Sequence, residues 1–201
     1  MSHDIQGIEE LPSIDDVRRR SQGLALLDAI IMPDWEHRYF SFNCRWSDVD
    51  GEMMASMRNG SDDEYFLHFS KNGAVGKAID ANPLANSCVF LAQIPKCFSD
   101  FKNESAFQVS DAAYYFWRET GGKWFSSPEN LKLYPNLRFL SSEIIYYHEW
   151  AVNYYERDID FNVLRKVFNT LSINQEQLTV LNSDLILVDL VTDLREILGV
   201  F

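Results

Sequence analysis

Basic residues are the scarce class in this chain: 18 Lys and Arg stand against 30 Asp and Glu, for a formal net charge of -12. That balance excludes a nucleic-acid backbone or an anionic membrane as the expected partner, because both demand a positive surface. A basic protein partner fits electrostatically, although the same charge also maintains solubility. Cysteine is scarce too. Cys44, Cys88 and Cys97 are odd in number and lack paired metal spacing, so they read as reduced thiols of a cytoplasmic protein. No apolar run reaches the roughly 18 residues of a membrane span. Residues 1–13 lack the basic and then apolar order of a secretory signal. Phosphate loops, nucleophile elbows and Cys-His signatures are missing, and Asn72-Gly73-Ala74-Val75-Gly76 lacks the third glycine and following helix of a dinucleotide fingerprint.

What is present favours an antiparallel sheet. Tyr39 to Trp46 alternates, with Phe40, Phe42, Cys44 and Trp46 on one face, and a period of two marks a half-buried strand. Residues 47–51 are turn formers, and Glu52 to Arg58 resumes the alternation with Met53, Ala55 and Met57. Asn59-Gly60 suits positive φ and reverses the chain into Glu64 to Ser70, where Tyr65, Leu67 and Phe69 share a face. The register that gathers the large apolar side chains sets Trp46 against Met53, Cys44 against Ala55 and Phe42 against Met57. It then sets Met57 against Tyr65, Ala55 against Leu67 and Met53 against Phe69, with Arg58 opposite Glu64 as a cross-strand charge pair. Lys71-Asn72-Gly73 turns into a fourth segment, Ala74 to Ile79.

Around this meander the pattern is helical at both ends. Residues 1–12 read as a flexible arm and 13–32 as an N-terminal helix, with Ser13 and Asp16 at its start and Ile14, Val17, Leu24, Leu27 and Ile31 as its stripe. Arg18-Arg19-Arg20 reads as a solvated face. Cys88 to Ile94 is a buried strand or a helix piece, and Pro95 to Phe101 a short helix. Asp111 to Glu119 is an aromatic strand that turns at Thr120-Gly121-Gly122-Lys123, and 126–137 is loop. Residues 39–125 are thus mainly sheet and 142–201 a helical section. In that section Tyr147, Ala151 and Tyr154 form one stripe, Asn174 and Gln177 have capping-box spacing, and Asp184 is expected to cap the last helix. The fold class expected is α+β, a mainly antiparallel sheet in a single domain spanning 1–201.

Candidate chemistry is thin. Asp48-Val49-Asp50-Gly51-Glu52 fails as a calcium loop, because Trp46 and Met57 would fall at its first and last ligands. His148-Glu149 begins like a zinc-protease helix, but Val152 stands where the second histidine is needed. Asp62-Asp63-Glu64 is an acidic turn that discourages edge pairing. No metal or cofactor is expected. Two surfaces stand out. The second face of the meander collects Asn43, Arg45, Ser56, Arg58, Glu64 and His68, a mixture suited to an anion or small polar ligand. Asp189, Asp193 and Glu196, four and three residues apart, share a helix face within a section holding ten acids and four bases, and are the candidates for steering a basic partner.

The strings Trp35-Glu36, 38–43, 51–58 and 63–66, with 96–101 and 149–151, resemble a family of uncharacterised bacterial proteins over most of the chain. The resemblance implies a bacterial, cytoplasmic origin and carries over no catalytic residue. Two functions are therefore expected as alternatives. The first is a non-catalytic interaction protein, immunity-type, that neutralises a basic toxin. The second is a small-ligand binder or enzyme on the polar meander face.

Overall fold

The computed structural model describes residues 7–47, 51–61, 63–79, 87–128 and 135–199. The chain is α+β. A helix α1 (Ile14–Ile31) leads into strands β1 (Phe40–Ser47), β2 (Glu52–Arg58), β3 (Glu64–Ser70) and β4 (Gly73–Ile79). Short helices α2 (Ser87–Leu91) and α3 (Ser99–Asn103) precede β5 (Tyr114–Glu119) and β6 (Phe125–Ser127). Four helices close the chain: α4 (Ile144–Tyr154), α5 (Phe161–Thr170), α6 (Gln175–Leu181) and α7 (Val191–Leu198). The six strands pair in chain order, all antiparallel.

Helix α1 is the element around which the others are arranged. The Ser13 hydroxyl accepts the Asp16 N–H at 3.2 Å, satisfying one donor of the first turn. From Leu24 to Ile31 every residue is buried, so this half of the helix has no solvent face and exceeds the single stripe its spacing suggests. The first sheet face lies on one side of it, and α5, α6 and α7 lie around the rest. Gly23 lets α5 approach, because a Cβ there would stand 2.5 Å from the Phe168 ring. Of the arginine triplet, Arg18 and Arg19 keep to the solvated side, with Arg18 paired to Asp15 and Arg19 donating to the Asn169 carbonyl, whereas Arg20 is part-buried and donates to the Ser142 carbonyl. Of the arm expected over 1–12, residues 1–6 lie outside the described residues and 7–12 are docked rather than loose. Ile8 and Leu11 are buried in the main core, and the Pro12 carbonyl accepts the Trp124 indole N–H at 2.7 Å.

The second turn and its register are as the alternation requires. Gly60 has φ +70°, and Met57 pairs with Tyr65, Ala55 with Leu67 and Arg58 with Glu64. The β1–β2 register differs. Phe40 pairs with Met57 and Phe42 with Ala55, two residues away from the expected match, whereas Ser47 still faces Glu52. Between these points β1 inserts Cys44, Arg45 and Trp46 opposite Met53 alone, a bulge stabilised by the Asn43 side chain accepting the Arg45 N–H at 2.8 Å. The bulge breaks the alternation. Cys44 stays beside the main core with Met53, while Trp46 turns to the second face and stacks on Phe107.

The second face is covered, though not by the C-terminal helices, which pack with α1 on the first. Its cover is the excursion between β4 and β5: Ile94, Phe98, Phe101 and Phe107 form a second core with Val75, Tyr115 and Trp117. Lys77 is fully buried beneath it and donates to the Gln108 and Asp111 carbonyls, at 2.8 and 3.3 Å, so its cation pins the cover through backbone oxygens. Burial lowers its pKa to about 8. Among the described residues no helix is long and apolar enough to cross a membrane, and no His/Cys/Asp/Glu group gathers as a metal site would need.

Local signals fare differently near the C-terminus. Asn174 and Gln177 form the expected capping box at α6. Asp184 does not cap the last helix. Instead the Asp189 carboxylate accepts the Ile186 N–H at 2.9 Å, and a single 3-10 turn, Leu187–Leu190, feeds α7. In α4 the inner positions are Ile144, Tyr147 and Ala151. Tyr154 points outward, and Tyr155, just beyond the helix, takes the inner place.

One carboxylate ties these layers together. Asp28, fully buried in α1, accepts the N–H groups of Tyr39 (2.8 Å) and Phe40 (2.7 Å) and the hydroxyls of Tyr147 (2.6 Å) and Tyr155 (2.8 Å). Burial raises its pKa to about 6, and the four donors oppose that rise. Because the folded pKa lies above the unfolded one, folding takes up a proton between about pH 4 and 6, and stability falls as pH rises through that window by about 3 kcal/mol. Asp28→Asn keeps an acceptor for the two amides and cannot ionise. Urea midpoints measured across this window should therefore show a wild-type stability that declines relative to the variant with rising pH; parallel curves would refute the linkage.

Candidate functional site

The six polar residues that alternation sends to the second sheet face do not converge on one cavity. His68 is buried beneath Phe101 and Phe107, with Nε2 3.1 Å from a Glu52 carboxylate oxygen. Ser56 bonds Ser41 at 2.6 Å, Asn43 closes the bulge, and Arg45 is exposed beyond it. Arg58 stands opposite Glu64, but its guanidinium leaves for Trp35, lying 3.8 Å from the indole centroid and donating to the Trp35 carbonyl at 3.0 Å. Among the described residues no carboxylate lies within ion-pair distance of it.

The three C-terminal acids also part company. Asp189 caps the turn before α7. Asp193 is held by Arg38 through both guanidinium nitrogens, one at 3.1 Å, while the same arginine donates to the Met32 and Pro33 carbonyls at 2.9 and 2.7 Å. Glu196 stands beside them, its pKa raised by burial and by Asp193. Asp62 of the acidic turn, and Asp48 and Asp50 of the first turn, lie outside the described residues. Asp63 accepts the Asn59 side-chain amide at 2.8 Å.

A different surface is concave. A cleft of about 610 Å³ opens where the end of α1, the β2–β3 turn and the end of α4 meet, lined by Met32, Glu36, His37, Arg38, Arg58, Tyr154, Tyr155 and Glu156. Sharing Tyr154 with it is a shelf of about 470 Å³ along α4, formed by Tyr146, Glu149, Trp150, Asn153 and Tyr154. On the other flank, sharing Arg38, is a narrow gap containing Trp35, Asp193 and Glu196. The result is one strip of aromatic side chains and carboxylates.

Local structure explains the strip. Pro33 follows α1, and the Asp34 carboxylate accepts the Glu36 N–H at 3.1 Å, closing a 3-10 turn that holds Trp35 out, 54% exposed. Tyr146, Trp150 and Tyr154 recur every four residues and so share one face of α4. Trp150 and Tyr154 stack at 4.8 Å, and Tyr39 backs them at 4.4 and 5.3 Å. Asp28 fixes Tyr39 and Tyr155 from within, so the buried carboxylate sets the rear wall of the cleft.

The electrostatics are one-sided. Arg38 is neutralised by Asp193 and Arg58 lies on Trp35 with its charge uncompensated, whereas Glu36, Glu149 and Glu156 have no side-chain partner among the described residues and so outnumber the one cation left. The four-residue recurrence of Tyr146, Trp150 and Tyr154 is legible in the sequence and marks the shelf. Nothing local points to Trp35 as a site residue, and Arg58, expected on the polar meander face, meets it only across the fold. No protein-family model, curated protein or solved structure matches the chain, so the surface is read from its own chemistry.

Arg38 holds this region in place. Arg38→Met would leave Asp193 without its cation and two carbonyls without their donor, which should cost about 3 kcal/mol in urea unfolding. A loss below about 1 kcal/mol would show that the pair contributes no more than an exposed ion pair.

Proposed function

We propose that this chain is a non-catalytic interaction protein whose strip of aromatics and carboxylates receives a basic segment of a protein partner. The observation that carries the reading is the excess of carboxylates over cations on the strip: Arg38 is neutralised by Asp193, and Glu36, Glu149 and Glu156 outnumber the Arg58 cation beside Trp150 and Tyr154. Lys and Arg side chains find there both a counter-charge and an aromatic face. The overall charge of -12 adds long-range steering of a basic partner toward the strip. An immunity-type role, in which the strip masks a basic toxin, is the setting we favour. A reducing cytoplasmic compartment agrees with the free thiols of Cys44, Cys88 and Cys97, two of them exposed.

Titration of a labelled arginine-only peptide, followed by fluorescence anisotropy at low and high salt, tests the proposal. Binding should weaken with salt, because exposed charges are screened. The triple substitution Glu36→Gln, Glu149→Gln and Glu156→Gln should weaken it about tenfold at low salt. Equal binding by wild type and triple variant would sink the reading, as would no binding at low salt.

A further inference from the structure

Resting on the basic-partner reading, we propose that Trp35 is a guanidinium site held in the free protein by Arg58, and that an arginine of the partner displaces Arg58 from it. The strip thereby selects arginine over lysine. Arg58 has an obvious alternative in Glu64, its cross-strand neighbour, yet the guanidinium leaves that carboxylate for the Trp35 indole and the Trp35 carbonyl. The combination suits a planar cation: the guanidinium carbon lies 3.8 Å from the ring centroid while an N–H of the same group reaches the carbonyl at 3.0 Å. A lysine ammonium is a compact point charge and cannot make both contacts from one plane.

Position and exposure make the site exchangeable. Trp35 is 54% exposed, and a surface contact between a cation and an indole is weak enough to be replaced by an equivalent one. The indole stands between the cleft, which Arg58 and Glu36 line, and the gap beside Glu196, so an incoming arginine meets a carboxylate on either side. Arg58 released from Trp35 has Glu64 opposite it to turn to, which limits the loss on displacement. The far end of the strip carries a looser cation–aromatic contact, with the Arg138 guanidinium 5.1 Å from the Tyr146 ring centroid. The surface thus binds guanidinium groups of its own at two places, and Arg58 acts as a built-in competitor.

The test compares an arginine-only with a lysine-only peptide of equal length on wild type, Arg58→Ala and Trp35→Ala, all confirmed folded by circular dichroism. Removing Arg58 also removes a positive charge, which strengthens both peptides alike, so the informative quantity is the ratio of their affinities. In Arg58→Ala the preference for arginine should rise about threefold. In Trp35→Ala it should fall to near unity while the lysine peptide still binds. An unchanged ratio in Arg58→Ala, or a preference that survives in Trp35→Ala, overturns the inference and leaves the basic-partner reading standing. Failure of both peptides to bind wild type overturns that reading, and this one with it.

Discussion

A single carboxylate in the middle of an apolar helix constrains this molecule more than any other group. Asp28 lies fully buried at the layer boundary between α1, the first strand and α4, where two backbone N–H groups and two tyrosine hydroxyls need an acceptor. Leaving such donors unpaired costs about 1 to 3 kcal/mol each, a sum comparable to the whole stability of many domains. The network therefore fixes where β1 begins and where α4 ends. Those two points are the rear wall of the cleft, so what stabilises the interior also shapes the exterior.

The sheet divides its labour around that anchor. Its first face, built from alternating apolar residues of successive strands, closes on α1 and the C-terminal helices. Its second face carries a smaller core under the excursion between β4 and β5, held by aromatic packing and by the Lys77 ammonium on two carbonyls. The bulge in β1 joins the two, because it lets one strand send Phe42 to the larger core and Trp46 to the smaller. Polar residues caught between sheet and cover are consumed in pairs, Ser41 with Ser56 and His68 with Glu52.

What remains for recognition is the rim. Trp35 is exposed there at its 3-10 turn and Tyr154 on the outer side of α4, while Phe139 packs against Tyr146 and Trp150. The cations nearest them are turned inward, or onto rings, by their own partners. Acidic excess then has its effect at close range as well as through the net charge, and an arginine stacked on indole shows the geometry that a partner's side chain would reproduce.

Wherever the deciding force acts between neighbours in sequence, the residues alone determined the outcome. The alternation of β2 and β3, the turn at Gly60, the Ser13 cap and the Asn174 capping box are local consequences of side-chain direction, backbone freedom and spacing, and together they specified an α+β fold with an antiparallel meander. Only the tertiary structure decided the burial of the second half of α1 on every side, the two-residue slip in β1, the diversion of Arg58 from Glu64 to Trp35 and the pairing of Asp193 with Arg38, because each is a competition between partners distant in the chain. A charged side chain takes the partner that folding brings within reach, and spacing along a strand or helix cannot say which one that will be. The acidic surplus was plain from composition, whereas the cleft that concentrates it exists only once α1, the β2–β3 turn and α4 share a corner.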